Sequence, residues 1–224
     1  MDNSLITVPP EFLARKRLVI CGLLIDRSGS MRKFPADAPR QAVNEHLSSL
    51  KTNENAADTL VFVATFADGV RFDIVPQPLS EVSELKPYAA DGRSTLLYGS
   101  ILMLLKGILE LKAQAEAQGV EVILKFDVLT DGHDEPSEEY EDVDFKTPLQ
   151  RLTAHALESG AELTLWGIGL PCQAIASDIG FPPESAIQVP ATVEGIKQTI
   201  RDVTARTHIT MIYGTGTPSS TSSR

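Results

Sequence analysis

The chain holds only two cysteines, Cys21 and Cys172, too few and too far apart for a disulfide framework or for the paired spacing of a thiolate metal site. Both read as small buried hydrophobes in a reduced, cytoplasmic setting. No apolar run exceeds about eight residues, against the roughly 20 needed to span a bilayer. Residues 1–17 carry acids and two prolines but no apolar signal core, so no secretory signal is expected. Basic residues are outnumbered, 20 against 30 acids, for a net charge of -10. That balance excludes broad nucleic-acid affinity, which needs Lys and Arg to neutralise phosphates. It excludes docking on anionic membranes as well. No Gly-x-x-x-x-Gly-Lys phosphate loop occurs, and the four histidines show no ligand spacing to one another.

What is present is ordinary in bulk. With 224 residues, 42% hydrophobic and 22% charged, the chain suits one soluble globular domain. The near-continuous apolar stretch at residues 17–25 reads as a strand covered on both faces, and 60–66, 122–129 and 162–168 read as further strands, with a short one at 186–189. Ala67-Asp68-Gly69 signals a hairpin into an edge strand at 70–75, ended by Pro76. Helical spacing follows Pro39, recurs from Leu97 to Leu111 with Gly119 as the stop, and returns at 149–157, 172–179 and 193–203. The alternation predicts an α/β fold, doubly wound, with a mostly parallel central sheet, one antiparallel edge strand and helices on both faces. The expected organisation is a leader over 1–16, a domain over 17–213 and a disordered Ser/Thr-rich tail over 214–224. The stretch 208–213 has β-type composition and reads as an extra edge strand or an assembly segment.

One pentad carries the chemistry. Asp26-Arg27-Ser28-Gly29-Ser30 follows directly on the first apolar run. One carboxylate and two hydroxyls at alternate positions, where a buried strand empties into a loop, are oxygen donors suited to a hard cation, Mg2+ or Mn2+. Two further pieces have the same character: Thr95, in Gly92-Arg93-Ser94-Thr95 before the strongest helix, and Asp131, in Leu129-Thr130-Asp131-Gly132 after a later strand. In doubly wound folds ligands bind beyond the carboxyl ends of the strands, where strand order reverses. Asp26 and Asp131 are both predicted at such ends. The bland alternative is that Asp26 and the serines merely cap the segment that follows.

Together these pieces resemble a von Willebrand factor type A domain with a metal-ion-dependent adhesion site, and the resemblance covers about residues 17–204. It is to stand-alone cytoplasmic bacterial members. It implies that Ser28, Ser30 and Thr95 ligate the ion directly, with Asp26 and Asp131 acting close behind. Many members have two glycines before the threonine, where this chain has Arg93-Ser94; that makes Ser94 a rival donor. The resemblance further implies a non-enzymatic module that captures an Asp or Glu of a partner protein. A MoxR-type AAA+ ATPase, or a kinase or phosphatase of the same stress-response system, would suit as partner. Arg27, Met31, Arg93, Ser94, His133 and Asp134 are expected around the mouth. Residues 134–144 hold seven acids and no base, a solvated insertion or a rim selecting a basic partner face. Two other functions compete: a Mg2+-dependent phosphatase or hydrolase, and a structural subunit with a vestigial site. Haloacid-dehalogenase-type phosphatases also place a nucleophilic aspartate after the first strand, but they need a second Asp two positions on, where Ser28 stands.

Overall fold

Apolar strands end to end with amphipathic helices leave one stable arrangement, a sheet buried between two helical layers. The computed structural model describes residues 8–34, 37–86 and 89–214. Its elements run α1 (Pro10–Leu13), β1 (Arg17–Asp26), α2 (Asp37–Leu50), β2 (Thr59–Phe66), β3 (Val70–Pro78), α3 (Leu97–Glu116), β4 (Glu121–Thr130), α4 (Lys146–Glu158), β5 (Glu162–Ile168), α5 (Gln173–Ile179), β6 (Ala186–Val189) and α6 (Val193–Tyr213). The sheet order is β3-β2-β1-β4-β5-β6, with β3 alone antiparallel. The expected α/β architecture is therefore the observed one.

Alternation along β1 divides the core. Leu18, Ile20 and Leu24 face the layer of α3, α4 and α5, together with Phe62 and Phe126. Val19, Cys21, Leu23 and Ile25 face α2 and α6. Gly22 is required by close approach: a Cβ there would lie 2.0 Å from the Phe62 ring. That ring is itself wedged beside Phe72 and Phe126, with centroids 6.1 and 6.2 Å away. Gly119, just past α3, has φ of 82°, which ends the helix as expected.

The α2–α6 face also buries charge. Lys125, in mid-strand and 1% exposed, reaches Asp127 at 3.1 Å and Glu162 at 2.9 Å. Trp166 Nε1 donates to Asp127 at 3.0 Å, and the Thr210 hydroxyl to Glu162 at 2.7 Å. Burial works against the Lys125 charge, but its two carboxylates outweigh burial and hold its pKa above the ordinary lysine value. Nearby, His46 pairs through Nδ1 with the Thr204 hydroxyl at 2.8 Å, and that hydroxyl donates to the Ile200 carbonyl at 2.6 Å. His208 contacts Ser49 and Asn53 of the α2 region at 3.0 and 2.8 Å.

Three expectations are corrected. Residues 208–213 form neither a strand nor a separate segment; they are the last turns of α6, in which Thr210 and Met211 are buried. Within the stretch read as a leader, Val8 and Phe12 join the core at 6% and 1% exposure, and α1 forms there. Met31 points into the core at 2% exposure and not toward the mouth. The tail over 215–224 lies outside the described residues, as does the leader over 1–7. Among the described residues no helix is long and apolar enough to cross a membrane.

Candidate metal centre

Strand order reverses between β1 and β4. β2 and β3 are laid to one side of β1, while β5 and β6 extend from β4. The two strands pair in parallel from Arg17 opposite Glu121 to Ile25 opposite Leu129, so their carboxyl ends coincide. Asp26 closes β1 and Asp131 follows Thr130 at the end of β4. This is where the strand ends diverge and leave a crevice.

The local chain folds back on Asp26. The Ser28 backbone N–H donates to Asp26 Oδ1 at 2.7 Å, an Asx turn that follows from having Asp two residues before. Ser28 Oγ and Ser30 Oγ lie 2.9 Å apart, and Ser30 Oγ donates to Asp131 Oδ1 at 2.7 Å. Thr130 Oγ1 donates to Asp26 Oδ2 at 2.6 Å. Each carboxylate is thus oriented by a hydroxyl carried in from the other strand's loop. Burial raises the Asp26 pKa and the charge of Asp131 adds to it, against hydrogen bonds from Ser28 and Thr130 that stabilise the anion.

Thr95 arrives from a third segment. Gly92 forms a parallel bridge with Ser28, its N–H donating to the Arg27 carbonyl at 3.2 Å. Thr95 exchanges backbone hydrogen bonds with Glu135 at 2.8 and 2.9 Å, which ties it to the Asp131 loop. Gly132 measures the gap: a methyl there would stand 3.9 Å from Thr95 Oγ1 and 4.0 Å from Asp26 Oδ2. Thr95 and Asp26 therefore face the same narrow space, and Thr95 is 7% exposed. Close packing makes Gly92 obligatory, since a Cβ there would meet the Ala67 Cβ at 2.1 Å.

Ser94 is not a rival donor. Its hydroxyl donates to Asp68 Oδ1 at 2.8 Å, and the Ser94 and Arg93 N–H groups bond to the same carboxylate. The Ser94 hydroxyl leads the contacts that lower the Asp68 pKa. Asp134 accepts from the Tyr98 N–H at 2.9 Å at the start of α3, and burial raises its pKa. Of the other residues expected at the mouth, Arg27 pairs with Asp91, and Arg93 and His133 are exposed. Residues 134–144 are mostly exposed and contain one 3-10 turn, Glu138–Tyr140. Sequence reasoning passed over Asp68, read only as a turn residue, and Thr130, read only as part of a motif. It also passed over Lys33, whose Nζ stands 2.7 Å from Asp131 Oδ2.

The donor set suits a hard cation. Two carboxylates and three hydroxyls converge, all of them oxygen. Asp131 Oδ2 is buried and takes no hydrogen bond; the Lys33 contact is an ion pair outside hydrogen-bond geometry. The place beside this buried oxygen is thus one that a cation fills, here the Lys33 ammonium at 2.7 Å. Among the described residues no group of three or more His, Cys, Asp or Glu could hold a metal, so the hydroxyls must supply part of any ligand set here.

No family model and no curated protein matches the chain. Solved structures do. The pilus adhesin SpaC from Lactobacillus rhamnosus GG superposes with a TM-score of 0.64 at 15% identity, over 86% of this chain and 31% of its own. Proximal thread matrix protein 1 from the mussel byssus, with a zinc-occupied MIDAS motif, gives 0.57 at 14% identity, over 86% and 46%. The ArnB paralog VWA2 from Sulfolobus acidocaldarius gives 0.53 at 15% identity, over 82% and 44%. This chain spans less than half the length of each. The chain has the von Willebrand factor type A fold.

Proposed function

We propose that this chain is a divalent-metal-dependent protein-binding module that captures an aspartate or glutamate of a partner protein. The observation that carries the reading is the meeting of Asp26, Ser28, Ser30, Thr95 and Asp131 at the strand-order reversal, where one buried Asp131 oxygen is met by the cationic Lys33. Ser28, Ser30 and Thr95 would hold Mg2+ or Mn2+ through neutral oxygens, with Asp26 and Asp131 fixed behind them by Thr130 and Ser30. So held, the ion supplies a Lewis-acidic position open to an outside carboxylate. Thr130 and the Ser28 N–H keep the Asp26 carboxylate in one orientation, Asp68 ties the Thr95 loop to the β2–β3 turn, and the Gly92 bridge holds that loop against Ser28. A pilus adhesin and a byssal matrix protein with an occupied MIDAS motif among the similar folds support the reading.

The non-enzymatic reading rests on the hydrogen bonds of Asp26. A phosphatase of the haloacid dehalogenase kind would use that residue as nucleophile, yet both its oxygens accept short hydrogen bonds, from Ser28 and from Thr130. Ser28 supplies no second carboxylate. The partner would be cytoplasmic and protein, with no nucleic acid and no membrane involved; a MoxR-type ATPase or a kinase or phosphatase of the same system fits. The acidic 134–144 segment beside the mouth favours a partner whose carboxylate is set in a basic surface. The test is affinity capture with the wild type and with Ser28→Ala/Ser30→Ala, in Mg2+ and in EDTA. The expected result is a partner retained only by the wild type in Mg2+. Retention in EDTA, or by the double variant, would overturn the reading.

A further inference from the structure

Lys33 reaches into the centre from outside. Its side chain is 49% exposed, while the Asp131 side chain it meets is fully buried. It ends the short 3-10 segment Gly29–Lys33 that carries Ser30, so the loop that supplies a ligand also supplies a cation. The other Asp131 oxygen is held by Ser30, which leaves Oδ2 as the oxygen that Lys33 contacts at 2.7 Å. The same ammonium lies 5.2 Å from the centroid of the Phe34 ring, a contact made together with the ion pair. The stem is unbranched and half in solvent, so the ammonium can leave without unpacking the core.

A divalent ion seated among the hydroxyls draws on the same carboxylate. Two cations cannot both lie close to one oxygen, because they repel strongly in a buried, poorly screened place. We propose that Lys33 is a tethered competitor for Asp131, which sets the metal concentration at which the centre fills and withdraws into solvent when it does. The inference rests on the metal-binding reading above and adds the residue that tunes it.

The experiment is isothermal titration of the intact chain with MnCl2 and with MgCl2, comparing wild type, Lys33→Met and Lys33→Arg. A half-exposed ion pair is worth about 1 kcal/mol, so Lys33→Met should bind about fivefold more tightly and Lys33→Arg within about twofold of wild type. A second readout is the acylation rate of the Lys33 amine, followed by peptide mass spectrometry. It should rise severalfold when Mg2+ is added to the wild type, and should not respond to Mg2+ in Asp131→Asn. Equal affinity in wild type and Lys33→Met would overturn this proposal and leave the metal centre standing. Absence of binding in every variant would overturn both.

Discussion

Gly92→Ala tests how the centre is assembled, because the methyl would project at Ala67 and at no flexible group. The Cβ–Cβ distance would be 2.1 Å, about 1.5 Å short of ordinary carbon contact. Ala67 is held by the turn, its N–H bonded to the Gly69 carbonyl and its carbonyl accepting from Leu96. The relief must therefore come from the Gly92–Thr95 loop, which would move away from Ser28. Overpacking of this kind costs about 1–3 kcal/mol. Magnesium-type coordination requires near-octahedral geometry at about 2.1 Å, so moving Thr95 by an ångström should weaken Mn2+ binding at least tenfold. The assays are calorimetric titration with MnCl2 and urea denaturation in EDTA. The compensating change is Ala67→Gly, which removes the obstructing atom at a cost of about 0.5–1 kcal/mol. Ala67→Gly/Gly92→Ala should recover most of the metal affinity, a non-additive result that the double-mutant cycle isolates. Wild-type affinity in Gly92→Ala, or no recovery in the double variant, would refute the assembly described here.

Two further predictions concern the face opposite α3. Burial pushes the His46 pKa down to about 3 from an ordinary 6.5. The native ring is neutral and the unfolded ring takes up a proton below pH 6.5, so stability falls as pH drops through that window toward 3. This ring should account for about 2 kcal/mol of stability lost between pH 8 and pH 5. Urea denaturation of His46→Gln should lack that increment, and an unchanged pH response would contradict the argument. Lys125→Met would strand the Asp127 and Glu162 carboxylates beside Trp166. Partners left charged and buried cost about 3 kcal/mol, and a loss under 1 kcal/mol in urea would show that the ion cluster is not what holds this layer.

The strands were legible because both faces are buried, so apolar residues dominate β1, β2 and β4 even though Lys125 and Asp127 interrupt the last. The candidate ligands were legible because their spacing is local and their strand ends are marked. Their adjacency came from the resemblance and not from their spacing, since the order placing β4 against β1 depends on the packing of the whole sheet. Asp68 and Lys33 escaped notice for the same reason: each acts on a segment far away in sequence. The end of α6 was misread from composition. Ile209, Thr210, Ile212 and Tyr213 favour strands, but the hydroxyls of Thr207 and Thr210 bond back to the carbonyls of Val203 and Arg206. Burial of Thr207 and Met211 then outweighs the weak intrinsic preference.

The ligand-bearing loops hang from opposite wings of the sheet, Asp26 and Thr95 on one and Asp131 on the other, and within the sheet the wings meet at β1 and β4. An ion seated there would behave as a clasp across that seam. A ligand grasping the clasp would engage loops from both wings at once.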